Sequence, residues 1–158
     1  MSVKIIDKGW NNFVKGLKQS KPITVTIGHH SDSGKTKDGK IGLAELMATF
    51  EFGSKKNNLP ARPVYATTFS DNKRTIMKTI ILIQARMASG QIPLAVGVRR
   101  IGEFYVRLLK KQFTKRKFAK LSPNYKKRPS GQKVTSASIP MIDTSGLRNA
   151  IDYKVGNL

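Results

Sequence analysis

Two long helical patterns separated by a short breaker constrain this chain more than any other feature of it. The first runs from about Ser70 to Ser89 and carries Ile76, Met77, Ile80, Ile81, Ile83 and Met87, with Ser70 or Asp71 as N-cap and Gly90 as stop. The second takes Pro93 into its first turn and reaches about Phe118. Leu94, Val98, Ile101, Tyr105 and Leu108 step along it by four and three residues, a sustained seam. Gly97 and Gly102 weaken this helix by about 1 kcal/mol each relative to Ala, and close packing of another backbone is one way to offset that.

Around this pair the remaining segments are short. Ile6, Trp10, Phe13, Val14 and Leu17 make one helical stripe with Lys8, Asn11, Asn12, Lys15 and Lys18 opposite, an amphipathic helix expected to pack on the chain's own sheet. Ile23–Ile27 alternates as a β-branched strand after Pro22. Residues 28–40 read as a flexible polar loop, about Gly42 to Thr49 as a short helix, and Ser54–Pro63 as a loop held extended by Pro60 and Pro63. From Leu121 to Ser138 almost nothing is apolar, the composition of a basic loop or arm that cannot fold alone. Ile139–Ile142 is a short apolar piece, Thr144–Ala150 suits a capped turn of helix, and Ile151–Val155 alternates as a closing strand. The expected architecture is a single α+β domain over residues 1–158. It would have a small mixed or antiparallel β-sheet packed by the N-terminal helix and the two long central helices.

Charge narrows the partners. Among 158 residues, 30 Lys and Arg face 9 Asp and Glu, a formal net charge of +21. No acidic residue stands between Glu103 and Asp143, an interval holding eleven Lys and Arg that include Lys110, Lys111, Lys115, Arg116, Lys117, Lys126, Lys127 and Arg128. Such a field attracts a polyanion or an acidic protein surface. Contact with nucleic acid and docking of a solvated basic face on an acidic protein are both open at this point. The absence of cysteine excludes disulfides, thiolate metal sites and cysteine nucleophiles. No apolar run approaches the ~20 residues of a membrane span, Met1–Gly9 lacks the apolar stretch of a secretory signal, and no membrane partner is expected.

Motifs that resemble chemistry fail on spacing. Gly34-Lys35-Thr36 follows a strand, but Gly28 and Gly34 are one residue too far apart for a phosphate loop, and turn-forming Lys37-Asp38-Gly39-Lys40 follows where a helix is required. His29 and His30 are adjacent, point to opposite faces in an extended chain and read as exposed loop residues. The carboxylates are scattered singly, and Asp143-Thr144-Ser145-Gly146 is not a nucleophile elbow. No catalytic residue, cofactor or metal is therefore assigned, and the chain is not expected to be an enzyme.

Three blocks in order carry a resemblance. Phe50-Glu51-Phe52-Gly53 is followed by Leu59-Pro60-Ala61-Arg62-Pro63-Val64 and Phe69. Leu121-Ser122-Pro123 continues into Lys126-Lys127-Arg128. Pro140-Met141-Ile142-Asp143-Thr144-Ser145-Gly146-Leu147-Arg148-Asn149-Ala150-Ile151 runs into Tyr153-Lys154-Val155. Together they resemble the tail-completion, or minor tail component, family of tailed bacteriophages, over most of the chain from about Thr49 to Val155. The resemblance implies a structural virion protein at the head–tail junction that works in the host cytoplasm during assembly and ends in the neck or the head-proximal end of the tail. It implies a homo-oligomeric ring of six or twelve copies, a tail terminator-like head–tail connector whose partners are the neighbouring neck, connector and tail-tube proteins.

On that reading the candidate subunit or partner interface is Glu51, Phe52, Gly53, Pro60, Ala61, Arg62, Pro63, Asp143, Thr144, Leu147 and Arg148. The two prolines stiffen the segment that presents Arg62. Its guanidinium has two possible uses, pairing with a carboxylate such as Glu51 or Asp143 across a subunit boundary or clasping a loop inside one subunit. Asp143 or Thr144 can cap the turn before Leu147. The basic stretch would line a channel and touch packaged DNA non-specifically, or dock on acidic neighbours. The alternative function is that of a basic nucleic-acid-binding protein.

Overall fold

The computed structural model describes residues 9–19, 23–36, 39–56, 58–114 and 146–157. Within them the chain runs α1 (Trp10–Gln19), β1 (Ile23–Gly28), α2 (Leu43–Phe52), α3 (Val64–Ala88), α4 (Leu94–Gln112), α5 (Gly146–Asn149) and β2 (Asp152–Asn157). β1 and β2 pair as a two-stranded antiparallel sheet, so the fold mixes helix and strand as an α+β protein. The segment 121–138 and the apolar piece Ile139–Ile142 lie outside the described residues.

The chain divides into two compact units. One holds Met1–Thr26, Asn72–Tyr105 and Tyr153–Leu158; the other holds Ile27–Asp71 and Val106–Asp152. Both long helices and both strands contribute residues to each.

In the first unit, α3 from Asn72 onward buries Ile76, Ile83 and Met87, which share one helical face. The helix ends where Gly90 was expected to stop it. Gly90 has φ 72°, its N–H donates to the Met87 carbonyl at 3.0 Å, and the Gln91 N–H donates to the Arg86 carbonyl at 2.9 Å. These two bonds make a Schellman closure, which favours glycine because its second-to-last residue is left-handed. The glycines of α4 admit side chains rather than another backbone. A Cβ on Gly102 would stand 2.7 Å from two ring carbons of Tyr153 on β2, and one on Gly97 would collide with the Met87 side chain and crowd Ile83. The Thr24 hydroxyl donates to the Gly156 carbonyl at 3.2 Å, joining residues from the two ends of the chain across the sheet. Several apolar residues assigned to packed stripes are instead exposed. Trp10, the first residue of α1, is 59% exposed, and Met77 and Ile81 of α3 are 49% and 58% exposed. For α3 the reason is geometric: Ile76 and Ile83 already fill the inward face, and Met77 and Ile81 lie well around the helix from it.

The second unit has the deeper core. Met47, Val64, Leu109, Phe113 and Ile151 are buried almost completely, with Val106 and Leu147 close behind. The buried face of α4 here is Val106 and Leu109, continued by Phe113 just past the helix end, one step round from the expected seam, on which Leu108 stays half-buried. Helix α3 begins at Val64, six residues before the Ser70 cap expected from local sequence, and Ser70 and Asp71 are exposed helical positions. The loop over 28–40 is laced by backbone bonds where it is described. Thr36 N–H donates to the Ile41 carbonyl at 2.8 Å, Leu43 N–H to Gly34 at 2.9 Å, and Lys35 and Gly42 form an antiparallel bridge.

Candidate interaction site

The site lies in the second unit, where α2 runs into the loop before α3. Gly53 ends α2 with φ 75° and ψ 177°, a conformation essentially restricted to glycine. A Cβ there would also meet the Ala61 nitrogen and the Leu59 carbonyl oxygen, both at 2.9 Å. Ser54 and Leu59 then close a narrow loop by exchanging two backbone bonds of 2.9 Å each. Pro60 and Pro63 carry the chain back towards α2, and the Arg62 N–H donates to the Phe50 carbonyl at 2.7 Å.

Glu51 explains the early start of α3. Its two carboxylate oxygens accept the backbone N–H groups of Tyr65 and Ala66, each at 3.0 Å. These are second- and third-position donors that no earlier turn of the helix can satisfy, and a carboxylate is suited to both their hydrogens and the positive end of the helix dipole. The cap comes from fourteen residues upstream instead of from a neighbouring Ser or Asp. Arg62 points inward: it is 3% exposed, and its guanidinium carbon lies 5.8 Å from the centre of the Phe50 ring, within cation–π range. Burial pulls its pKa below the ordinary arginine value. Of the two uses open to this side chain, its burial fits the clasp within one subunit.

A second polar junction ties the start of the 28–40 loop to α3 and α5. The His29 Nε2 lies 2.7 Å from the Leu147 carbonyl, which can only accept, so Nε2 carries the hydrogen and Nδ1 is left to accept. The Tyr65 hydroxyl donates to Nδ1 at 2.5 Å and accepts the His29 backbone N–H at 3.1 Å. Phe113 closes the third side of the imidazole, with ring centres 6.4 Å apart. Burial, aided by His30 and opposed by the Leu147 bond, holds the His29 pKa below its usual 6.5. Burial and the nearby Glu51 charge push the Tyr65 pKa up to about 12, against the effect of the His29 backbone bond. Both rings are therefore neutral near pH 7. His29 was expected to be an exposed loop residue; its role depends on partners 36 and 118 residues away, which local spacing does not reveal.

What remains on the surface is a knob between two hollows. Phe52 is 83% exposed. On one side is a groove of about 380 Å³ lined by Ile27, Gly28, His29, Ala44, Met47, Ala48, Glu51 and Tyr65 as well as Phe52. On the other is an open recess of about 610 Å³ lined by Gly53, Ser54, Lys55, Asn58, Leu59, Pro60, Ala61 and again Phe52. Four candidate interface residues, Phe52, Gly53, Pro60 and Ala61, thus share one surface feature, and Pro63 is exposed beside α3. Leu147 is 6% exposed, turned into the core beneath α2, and Arg148 is half-buried with no hydrogen-bond partner for its Nε among the described residues. Lys110 is half-buried and Lys111 exposed at the end of α4. Asp143, Thr144, Lys115, Arg116, Lys117, Lys126, Lys127 and Arg128 lie outside the described residues.

Among the described residues no group of three or more His, Cys, Asp or Glu side chains is arranged to hold a metal ion, and no helix is long and apolar enough to cross a membrane. No protein-family model matches the chain, and no curated protein or solved structure matches it either.

Proposed function

We propose that this protein is a structural component of a tailed-phage particle, a tail-completion or neck protein that assembles in rings of six or twelve copies and joins tail to head. The observation that carries this reading concerns the first and third sequence blocks behind the resemblance. They lie far apart in the chain, yet α2 and α5 pack together within one compact unit and leave Phe52 exposed between two hollows. An exposed aromatic knob beside concave surface is a feature that subunit or partner contacts use, with aromatic anchors filling pockets. In this reading the small sheet, packed by α1 and the two long helices, is the body of the subunit. The Phe52–Ala61 surface meets the neighbouring copy or the adjoining neck or tail-tube protein. The basic stretch faces DNA or acidic neighbours, and no catalytic group, cofactor or metal is needed.

Complementation tests the reading. A phage lacking this chain should yield filled heads and finished tails that stay apart, and adding the purified protein to that lysate should restore infectious particles. Complete particles in its absence would remove the proposal.

The net charge favours a second reading, a basic nucleic-acid-binding protein. It predicts a linear fall of log affinity for DNA against log salt, with a slope that counts several phosphates. Retained binding at physiological salt together with normal particle assembly would favour it over the first.

A further inference from the structure

Helix α3 presents a second, unrelated surface. Between Asn72 and Ala88 its inward face is Ile76, Ile83 and Met87. At 3.6 residues per turn, Arg74, Lys78, Ile81 and Ala85 follow one another along the opposite face, with Met77 and Leu82 on its two flanks. Met77, Ile81 and Leu82 are 49%, 58% and 54% exposed. A lone exposed apolar residue is ordinary. Three on one outward face of one helix, at positions where polar helix-formers would serve the fold as well, form a patch.

The residues around the patch identify what covers it. Arg74 and Lys78 stand at its N-terminal end and Arg86 at its C-terminal end, all exposed, and no acidic residue occurs anywhere between Asp71 and Glu103. A second copy of the chain is a poor occupant, because in either orientation the helix would set cations against cations across the contact. The apolar strip from Met77 to Ala85 is about 12 Å long, some two turns of helix. It is narrow, and its other side is held by the core, so it suits a rod laid along it better than immersion in a lipid surface.

We propose that the outward face of α3 docks an acidic amphipathic helix of a partner protein. Apolar side chains of that helix pack on Met77, Ile81 and Leu82, and its flanking carboxylates pair with Arg74, Lys78 and Arg86. This surface belongs to a different compact unit from the Phe52 knob and stands whether or not the virion reading holds.

The test uses the full chain and three probes. The first is a labelled peptide of ~20 residues, long enough to be helical, with Leu on one face and Glu on both flanks. The second is the same peptide with every Glu replaced by Lys, and the third is vesicles of phosphatidylcholine and phosphatidylglycerol. The acidic peptide should bind, with hydrogen-exchange protection on the exposed side of residues 74–86. Ile81→Glu with Leu82→Glu should weaken it by at least ~10-fold, and Ile81→Ala with Leu82→Ala should weaken it less in the same direction. Arg74→Glu with Lys78→Glu should weaken it at low salt and much less at high salt. Lys35→Glu with Lys40→Glu, the same charge change on an exposed loop, should leave it unchanged, and circular dichroism should show every variant folded. No binding of the acidic peptide, equal binding of the lysine peptide, binding only to vesicles, an equal loss in the Lys35/Lys40 variant, or a self-associated chain that Ile81→Glu with Leu82→Glu separates would each overturn the proposal.

Discussion

The two compact units hold their apolar cores in different ways. The unit built on Ile27–Asp71 and Val106–Asp152 buries Met47, Val64, Leu109, Phe113 and Ile151 almost completely and stitches that core with long-range polar bonds from Glu51, His29 and Tyr65. The unit that contains Asn72–Tyr105 buries Ile76, Ile83 and Met87, and depends on shape where α4 meets β2 at Gly102 and Tyr153. It leaves Trp10, Met77, Ile81 and Leu82 exposed. The difference separates two sources of specificity. Directional bonds fix one backbone arrangement and make it sensitive to pH. Steric fit tolerates pH but not added volume, and apolar surface left over is available to a partner.

The largest expected effect breaks the stitched unit at its turn. Gly53→Ala places a side chain in a glycine-only conformation and within 2.9 Å of two backbone atoms that cannot move aside cheaply. A loss of about 3 kcal/mol or more should follow, visible in urea denaturation, and a loss below about 1 kcal/mol would show that the turn is not held as described. Gly102→Ala attacks the other unit. Overpacking against the Tyr153 ring costs about 1–3 kcal/mol, while the better helix propensity of Ala returns up to about 1 kcal/mol. The net loss should shrink when combined with Tyr153→Ala, a coupling that independent sites would not show.

Glu51→Ala removes the cap of α3 and should cost about 1–2 kcal/mol, with amide exchange accelerated first at Tyr65 and Ala66. Glu51→Gln keeps one acceptor oxygen and should recover part of that.

The smallest effect concerns pH. Because His29 is held below 6.5 when folded, the unfolded chain takes up a proton first as pH falls. The stability from this junction is complete above that pH and declines with acid. Thermal melts at pH 7.5 and 5.5 should therefore differ more for the native chain than for His29→Gln. Tyr65 has the opposite sign: its raised pKa means that stability is present below pH 10 and is lost as pH rises towards about 12.

Sequence periodicity carried much of the fold. The strand at Ile23, the stop at Gly90, the helix after Pro93 and the closing segment after Asn149 were all legible, because each is set by local backbone chemistry or by a repeat of 2 or 3.6 residues. The start of α3 was not, since its cap is a glutamate on another helix and no nearby residue signals it. Likewise Met77 and Ile81 read as core because composition cannot say which of several apolar helix faces finds a neighbour. At the candidate site, Phe52, Gly53, Pro60 and Ala61 were legible as a block. The inward turn of Arg62 and the His29–Tyr65–Leu147 junction required contacts between distant segments.

Counting this chain against the portal protein by quantitative mass spectrometry of purified particles tests the central claim most directly. About six or twelve copies per particle are expected for a ring in the neck or at the tail end. Complete, infectious particles that contain none of it would contradict the account.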